Sequence, residues 1–139
     1  MGSIGMRRGN LKGEEAVKSI LWIGIGGFCG AIARFLIGSW LSGTFGTAAF
    51  PVATFVINIT GSFLLGLLAG GAFSLTPHAM SALTVGVLGS YTTFSTFSVE
   101  ILRLIEQNQI PFALLYATGS VVAGLIGAWA GGALGRIMS

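Results

Sequence analysis

The third apolar run of the chain contains the segment GVLGSYTTFSTFS, residues 86–98. Residues 92–98 carry five hydroxyl side chains and two phenylalanines, and the Gly-Ser-Tyr-Thr-Thr stretch at 89–93 is prone to break a helix. Serine and threonine can bond back to carbonyls of their own helix, which accounts for one or two of these hydroxyls. Five would cover more than half of the helix circumference, and non-helical backbone in a bilayer persists only inside protein or beside a cavity. The segment therefore predicts a broken helix that faces a polar environment.

The composition around this segment predicts a membrane protein. Of the 139 residues, 53% are hydrophobic and 8% are charged, whereas soluble proteins carry about 25% charged residues. A membrane-spanning helix takes about 20 apolar residues, and apolar runs lie at about 19–41, 51–73, 79–104 and 111–135. They lack the alternation of outer-membrane strands. We predict an all-α protein of the cell (inner) membrane, with a polar N-terminal tail (1–18) and one four-helix transmembrane domain (19–139).

The charges and the few reactive side chains exclude several function classes. The net charge is +3, but four of the seven basic residues lie in the first eighteen positions. This clustering favours a membrane surface over nucleic acid as the partner. Cys29 is the only cysteine and His78 the only histidine, so the chain offers neither an internal disulfide nor a cysteine-built metal site. No nucleophile is paired with a base, and we do not expect an enzyme.

The loop charges bear on orientation. An even number of spans places the N-terminal tail, the loop at His78 and the C-terminus on one side, and the basic tail favours the cytoplasm for that side. Without the tail the comparison is Arg136 against Arg34 and Arg103. The transmembrane domain itself is therefore nearly indifferent to orientation and permits insertion both ways.

Three strongly polar side chains within the spans need partners. Asn58 is costly in hydrocarbon if unpaired, so it either joins two helices or lines a water-filled path. Arg34 and Glu100 are the single charges in or near the ends of their spans. We interpret them as structural charges, either paired with each other or reaching the headgroups, in preference to a direct transport role.

The fourth span contributes a weaker pattern. Tyr116, Thr118 and Ser120 are its polar side chains, and Tyr116 and Ser120 share a helix face at a spacing of four. Glycines at this spacing, as in Gly127–Gly131 and Gly131–Gly135, are typical of close helix packing in lipid.

Four segments together carry a resemblance to a known family. They are GGFCGAIARF at 26–35, VINITGSF at 56–63, TTFSTFSVE at 92–100, and the Tyr116-x-Thr118-x-Ser120 pattern. In these residues the chain resembles the Fluc-type fluoride channels, also called the CrcB family. The resemblance extends over all four spans, and the motif of the third span is its most specific part.

This resemblance implies a passive, fluoride-selective channel built as a homodimer of two antiparallel subunits that insert in both orientations. It implies two fluoride pores, with Phe94 and Phe97 along them and a polar lining of Asn58, Ser95, Thr96, Tyr116, Thr118 and Ser120. It also implies a structural sodium ion at the dimer centre, held by backbone carbonyls of Gly89 and Thr92 from both subunits. On this basis we predict that Asn58 lines the path and is not only a link between helices.

Two other function classes stay open at this point. A small four-helix cation or drug exporter has the same length, but it needs a carboxylate deep in a span, whereas Glu100 lies near the end of the third run. A membrane assembly scaffold could use the glycines and Asn58, yet it has no need of a Phe-Ser-Thr-Phe cluster beside a helix break.

Overall fold

The computed structural model describes the backbone of residues 3–46 and 50–139, and the side chains of residues 13–46 and 50–139. The described chain is all-α. Its elements are α1 (Ser3–Phe45), α2 (Val52–Ala69), α3 (Pro77–Ser81), a π-helical segment (Ala82–Leu88), the short turn α4 (Gly89–Tyr91), α5 (Phe94–Glu106) and α6 (Ile110–Met138).

Three of these helices are long and apolar enough to cross a membrane: Gly13–Phe45 within α1, α2, and α6. The region predicted as the third span, about 79–104, consists of shorter pieces, from α3 through the π-helical segment and α4 to α5. The coarse prediction of an all-α membrane protein is thus confirmed, with three continuous apolar helices beside this composite segment.

The first helix differs from the predicted tail and span. α1 runs without interruption from Ser3 through residue 18 and on to Phe45, a total of 43 residues. At about 1.5 Å per residue such a helix is about 65 Å long, roughly twice the 30 Å of the hydrocarbon core. Polarity alone suggested a boundary at residue 18, but Ala16 and Val17 continue the helix because nothing there breaks its hydrogen-bond ladder.

The second and fourth spans also end differently from the predictions. α2 stops at Ala69 rather than near 73, because Gly70 and Gly71 follow it and Gly71 adopts a positive φ of 89°. α6 begins at Ile110 with Pro111 in its first turn, a position where the missing proline N–H costs nothing.

Helix packing divides the chain into two close pairs, α1 with the π-helical segment and α2 with α6. In both pairs glycine lets backbone meet backbone: a Cβ on Gly30 would collide with the carbonyl of Val87, and one on Gly66 with that of Ala128. In the fourth span, Gly131 contacts the carbonyl of Phe63 and Gly135 that of Leu67 in the same way, which confirms a packing role for these two glycines.

One end of the molecule is held together by His78 in α3. Its Nε2 lies 2.8 Å from Glu15 Oε2 and its Nδ1 lies 3.1 Å from Ser19 Oγ, both on α1. At the same end, Gly71 lies beside Ser139, since an added Cβ would be 3.4 Å from the serine Cβ. The start of the first span, the loop at His78 and the C-terminus therefore share one side, as the sequence predicts.

The helical ladder is interrupted between α4 and α5. Thr92 (φ −77°, ψ 158°) and Thr93 (φ −148°, ψ 118°) are both extended. Thr93 then caps α5, since its hydroxyl accepts a hydrogen bond from the backbone N–H of Thr96 at 3.2 Å. The candidate site is built around these two residues.

Candidate functional site

The side chain of Asn58 holds the interruption in place from α2. Its Nδ2 donates to the carbonyl of Thr93 at 3.0 Å, and its Oδ1 accepts from the backbone N–H of Thr93 at 2.8 Å. A side-chain amide has two N–H groups and one oxygen. Asn58 therefore satisfies both backbone groups of Thr93 and keeps one N–H for another acceptor.

These bonds leave two backbone carbonyls without their usual donors. In a continuous helix the N–H of Thr93 would donate to the carbonyl of Gly89, and that of Thr96 to the carbonyl of Thr92. Here the Thr93 N–H donates to Asn58 and the Thr96 N–H donates to the Thr93 hydroxyl. The carbonyl oxygens of Gly89 and Thr92, three residues apart in the chain, are available to another ligand.

A cavity of about 290 Å³ lies beside the interruption. We call it the central cavity. Its wall combines the polar groups of α2 with residues of the composite third segment. The lining residues are Asn58, Gly61, Ser62, Leu65, Thr84, Leu88, Gly89, Thr92, Thr93 and Phe94.

Glu100 on α5 is bound by two hydroxyl groups. Thr54 donates to Oε1 at 2.8 Å from α2, and Tyr116 donates to Oε2 at 2.7 Å from α6. The carboxylate thus joins three helices. Tyr116 is fully buried, at 0% exposure, so its only hydroxyl proton is committed to Glu100.

Arg34 lies near Glu100 without pairing with it. Both line a cavity of about 400 Å³, which we call the Arg34 cavity, together with Thr54, Thr93 and Thr96. Among the side chains of residues 13–46 and 50–139, the charged contacts within 4.0 Å are those of Glu15 with Lys18 and with His78. Of the two alternatives for these structural charges, pairing with each other or reaching the headgroups, the ion pair is not formed within the described chain, where Thr54 and Tyr116 bind the Glu100 carboxylate.

The two phenylalanines of the motif occupy different surroundings. The ring of Phe94 is 80% exposed and opens onto the central cavity. Phe97 is half-buried and lies 5.1 Å from the ring of Tyr116, centroid to centroid. The Phe94 and Phe97 ring centroids are 5.9 Å apart and the rings are tilted by 41°. The two rings, which we call the aromatic pair, thus extend from the core to the exposed surface.

The remaining hydroxyls fall into satisfied and unsatisfied groups. Thr92, Ser98 and Thr118 donate to carbonyls one turn back in their own helices. Ser95 and Thr96 lie exposed in the first turn of α5, close to the Thr93 hydroxyl. Ser120 Oγ is buried, and within the described part of the chain it has no hydrogen-bond partner.

A third cavity, of about 410 Å³, lies between α2 and α6. We call it the Arg136 cavity. Small residues form most of its wall, and Arg136 stands at its end. It is lined by Ser62, Leu65, Gly66, Ala69, Gly70, Ala128, Gly132 and Arg136.

Two residues that contribute to the site were missed in the sequence. Thr54 holds Glu100, and Ser62 lines two cavities. Both follow from the register of α2, because Thr54, Asn58 and Ser62 recur every four residues and so share one helix face. That spacing was the available signal.

Long apolar helices, a helical ladder opened at two threonines and adjoining polar cavities define a multi-pass membrane protein with a polar interior. The chain matches the family described as "CrcB-like protein, Camphor Resistance (CrcB)" over residues 21–132. It belongs to this family and is a multi-pass protein of the cell membrane.

Curated relatives agree with this assignment. The fluoride-specific ion channel FluC of Acidobacterium capsulatum is 41% identical over 119 residues, or 84% of this chain and 94% of that protein. FluC 1 of Symbiobacterium thermophilum is 43% identical over 116 residues, with 81% and 94% covered. FluC of Pseudomonas syringae pv. syringae is 41% identical over 125 residues, with 87% and 99% covered.

Replacing Asn58 tests its structural part in the site. Asn58→Ala leaves the N–H and the C=O of Thr93 without partners, and each unsatisfied buried group costs about 1–3 kcal/mol. We expect a lower apparent melting temperature in detergent and faster hydrogen exchange at the Thr93 amide. Ser62→Ala is the matched control, because the Ser62 hydroxyl donates only within α2, to the carbonyl of Asn58. Equal effects of the two substitutions would contradict the role given to Asn58.

Proposed function

We propose that this protein is a fluoride-specific ion channel that lets fluoride leave the cell by passive electrodiffusion. The proposal is supported above all by the curated relatives of that name, which match it at 41–43% identity over nearly their full lengths. The polar cavities around the interruption also support the proposal, because an ion path through apolar helices needs polar space. The expectation that the chain is not an enzyme is confirmed, because its family is one of ion channels.

The proposed path uses hydrogen-bond donors and aromatic edges to replace the water that fluoride sheds. Asn58 has a free N–H beside the central cavity, and Ser120 has an unpartnered buried hydroxyl. Ring edges carry partial positive charge, so Phe94 and Phe97 can face an anion. The other residues assigned to the path are Ser95, Thr96, Tyr116 and Thr118. Tyr116 would act on the ion through Glu100, since its proton is held there.

The protein works, in this proposal, as an antiparallel homodimer with both orientations in the membrane and two pores. A single chain leaves Phe94 80% exposed next to a stretch of extended backbone at Thr92 and Thr93. Broken backbone is costly when lipid covers it. A second copy would cover it, and an antiparallel two-fold axis brings the two interruptions together.

A structural sodium ion at the centre of that dimer is the proposed ligand of the Gly89 and Thr92 carbonyls. The residues fit the ion, because both carbonyls have lost their helical donors to Asn58 and to the Thr93 hydroxyl. Hard cations prefer oxygen ligands. A bound ion would supply positive charge where the two broken helices meet and would hold their carbonyl ends together.

A cation or drug exporter is not favoured. The relatives named above are fluoride channels. Glu100, the carboxylate that such a transporter would need, is already bound by Thr54 and Tyr116.

Substitution of the two phenylalanines tests the path. Phe94→Ile and Phe97→Ile keep apolar bulk and remove the aromatic edge, so fluoride efflux from liposomes is expected to fall strongly while the protein still elutes as a dimer. Phe73→Ile serves as a control, because Phe73 is half-exposed and lines none of the three cavities. Unchanged efflux in both single variants would defeat the assignment.

The sodium proposal is tested by diffraction from crystals in which sodium is replaced by a heavier monovalent cation. We expect anomalous density between the Gly89 and Thr92 carbonyls of two copies. Side-chain substitution is a poor test, because the ligands are backbone atoms. No density there, or a position with the coordination geometry of water, would count against sodium.

Dual insertion is tested by cysteine labelling on intact cells. In a Cys29→Ala background, Ser139→Cys places the only thiol at the C-terminus, and a membrane-impermeant reagent should label about half of the protein. Permeabilised cells should give complete labelling. Full protection in intact cells would mean that the basic tail fixes one orientation, and the antiparallel dimer would then be wrong for this chain.

A further inference from the structure

The three cavities of the candidate site are neighbours that share wall residues. The central cavity shares Thr93 with the Arg34 cavity, and it shares Ser62 and Leu65 with the Arg136 cavity. An arginine therefore lines each of the two cavities that flank the central cavity. Arg136 belongs neither to the interruption nor to the aromatic pair, and it is not among the residues assigned to the path.

Glycine forms part of the wall of the Arg136 cavity. At Gly66 and Gly70 the backbones of α2 and α6 are in direct contact, since a Cβ there would collide with the carbonyls of Ala128 and Gly132, and the cavity lies beside this contact. The guanidinium of Arg136 turns toward this space, since its Nη1 lies 3.6 Å from the point where a Cβ on Gly132 would stand. Arg136 is also exposed, so its charge lines the cavity and faces the surface.

Arg136 carries its charge without an acidic partner. Across the described side chains, no carboxylate lies within 4.0 Å of it; the carboxylate of Glu15 is engaged by Lys18 and His78, and that of Glu100 by hydroxyls. An unpaired cation at the rim of a low-dielectric cleft concentrates anions there. Fluoride at this rim would meet the charge first, then Ser62, and then Asn58 in the central cavity.

We propose that Arg136 raises the local concentration of anions near the C-terminal end of α6 and so raises the rate at which fluoride enters the path. This inference rests on the proposed channel function. It assigns Arg136 an effect on entry at a distance and no part in holding the ion within the central cavity. The effect must therefore weaken as salt screens the charge.

The test compares fluoride efflux from liposomes at two ionic strengths, using only zwitterionic lipid. At about 0.01 M the screening length is about 30 Å, and at about 1 M it is about 3 Å. For Arg136→Gln we expect the initial rate to fall about two- to fivefold at low ionic strength, the size of a single screened charge interaction. The loss should nearly vanish at high ionic strength, and Arg136→Lys should restore most of the rate.

Arg103→Gln is the matched control. Arg103 is likewise exposed in the last turn of its helix, α5, and it lines none of the three cavities. Its substitution should leave the efflux rate unchanged at both ionic strengths.

Several outcomes would overturn the assignment of Arg136. An unchanged rate at low ionic strength removes any role in entry, and an equal loss at both ionic strengths indicates a structural role. A loss that appears only after anionic lipid is added indicates that Arg136 binds headgroups. If the unsubstituted protein releases no fluoride above empty liposomes, the channel function fails and this inference fails with it; transport without an Arg136 effect removes the inference alone.

Discussion

The paired hydrogen bonds between the Asn58 amide and the backbone of Thr93 are the constraint on which the rest of the site depends. In a membrane helix the backbone N–H and C=O groups normally form hydrogen bonds with each other. Here the side chain of Asn58, on α2, forms these hydrogen bonds for Thr93 of the composite third segment. An extended residue at this depth is tolerable only because both of its polar groups find Asn58. The same bonds fix the distance between α2 and the start of α5.

The other features of the site follow from that fixed point. Because Thr93 is extended, its hydroxyl is placed to cap α5, whose first residue, Phe94, lines the central cavity. Because the Thr93 N–H is occupied, the carbonyl of Gly89 is released. Because α5 starts anew at Phe94, its register carries Glu100 to Thr54 and Tyr116. One helix change thus sets the positions of an aromatic ring, a free carbonyl and a carboxylate.

Much of this could be predicted from the sequence, and the rest could not, for physical reasons. Composition and run length predicted the membrane helices, and the Gly-Ser-Tyr-Thr-Thr stretch contains the two extended residues, Thr92 and Thr93. The hydrogen-bond partners of Asn58 and Glu100 could not be predicted, because the spacing of residues along one helix does not show which neighbouring helix faces them. The continuity of α1 through residue 18 was also missed, since hydropathy reports the surroundings of a helix and not where it ends. The π-helical segment has no pattern in its side chains that differs from an α-helix.

The glycines of the chain fall into two groups, one that can be replaced by larger residues and one that cannot. Gly24 and Gly119 have nothing within 4 Å of the position a side chain would take, whereas Gly30, Gly66 and Gly131 have a neighbouring carbonyl there. At the first kind of position, divergence can proceed by single steps. At the second kind even alanine requires two helices to move apart, and lipid offers no hydrophobic force to press them together again. The contacts between these glycines and the backbone of a neighbouring helix are therefore the part of this small protein that amino-acid substitution can alter least.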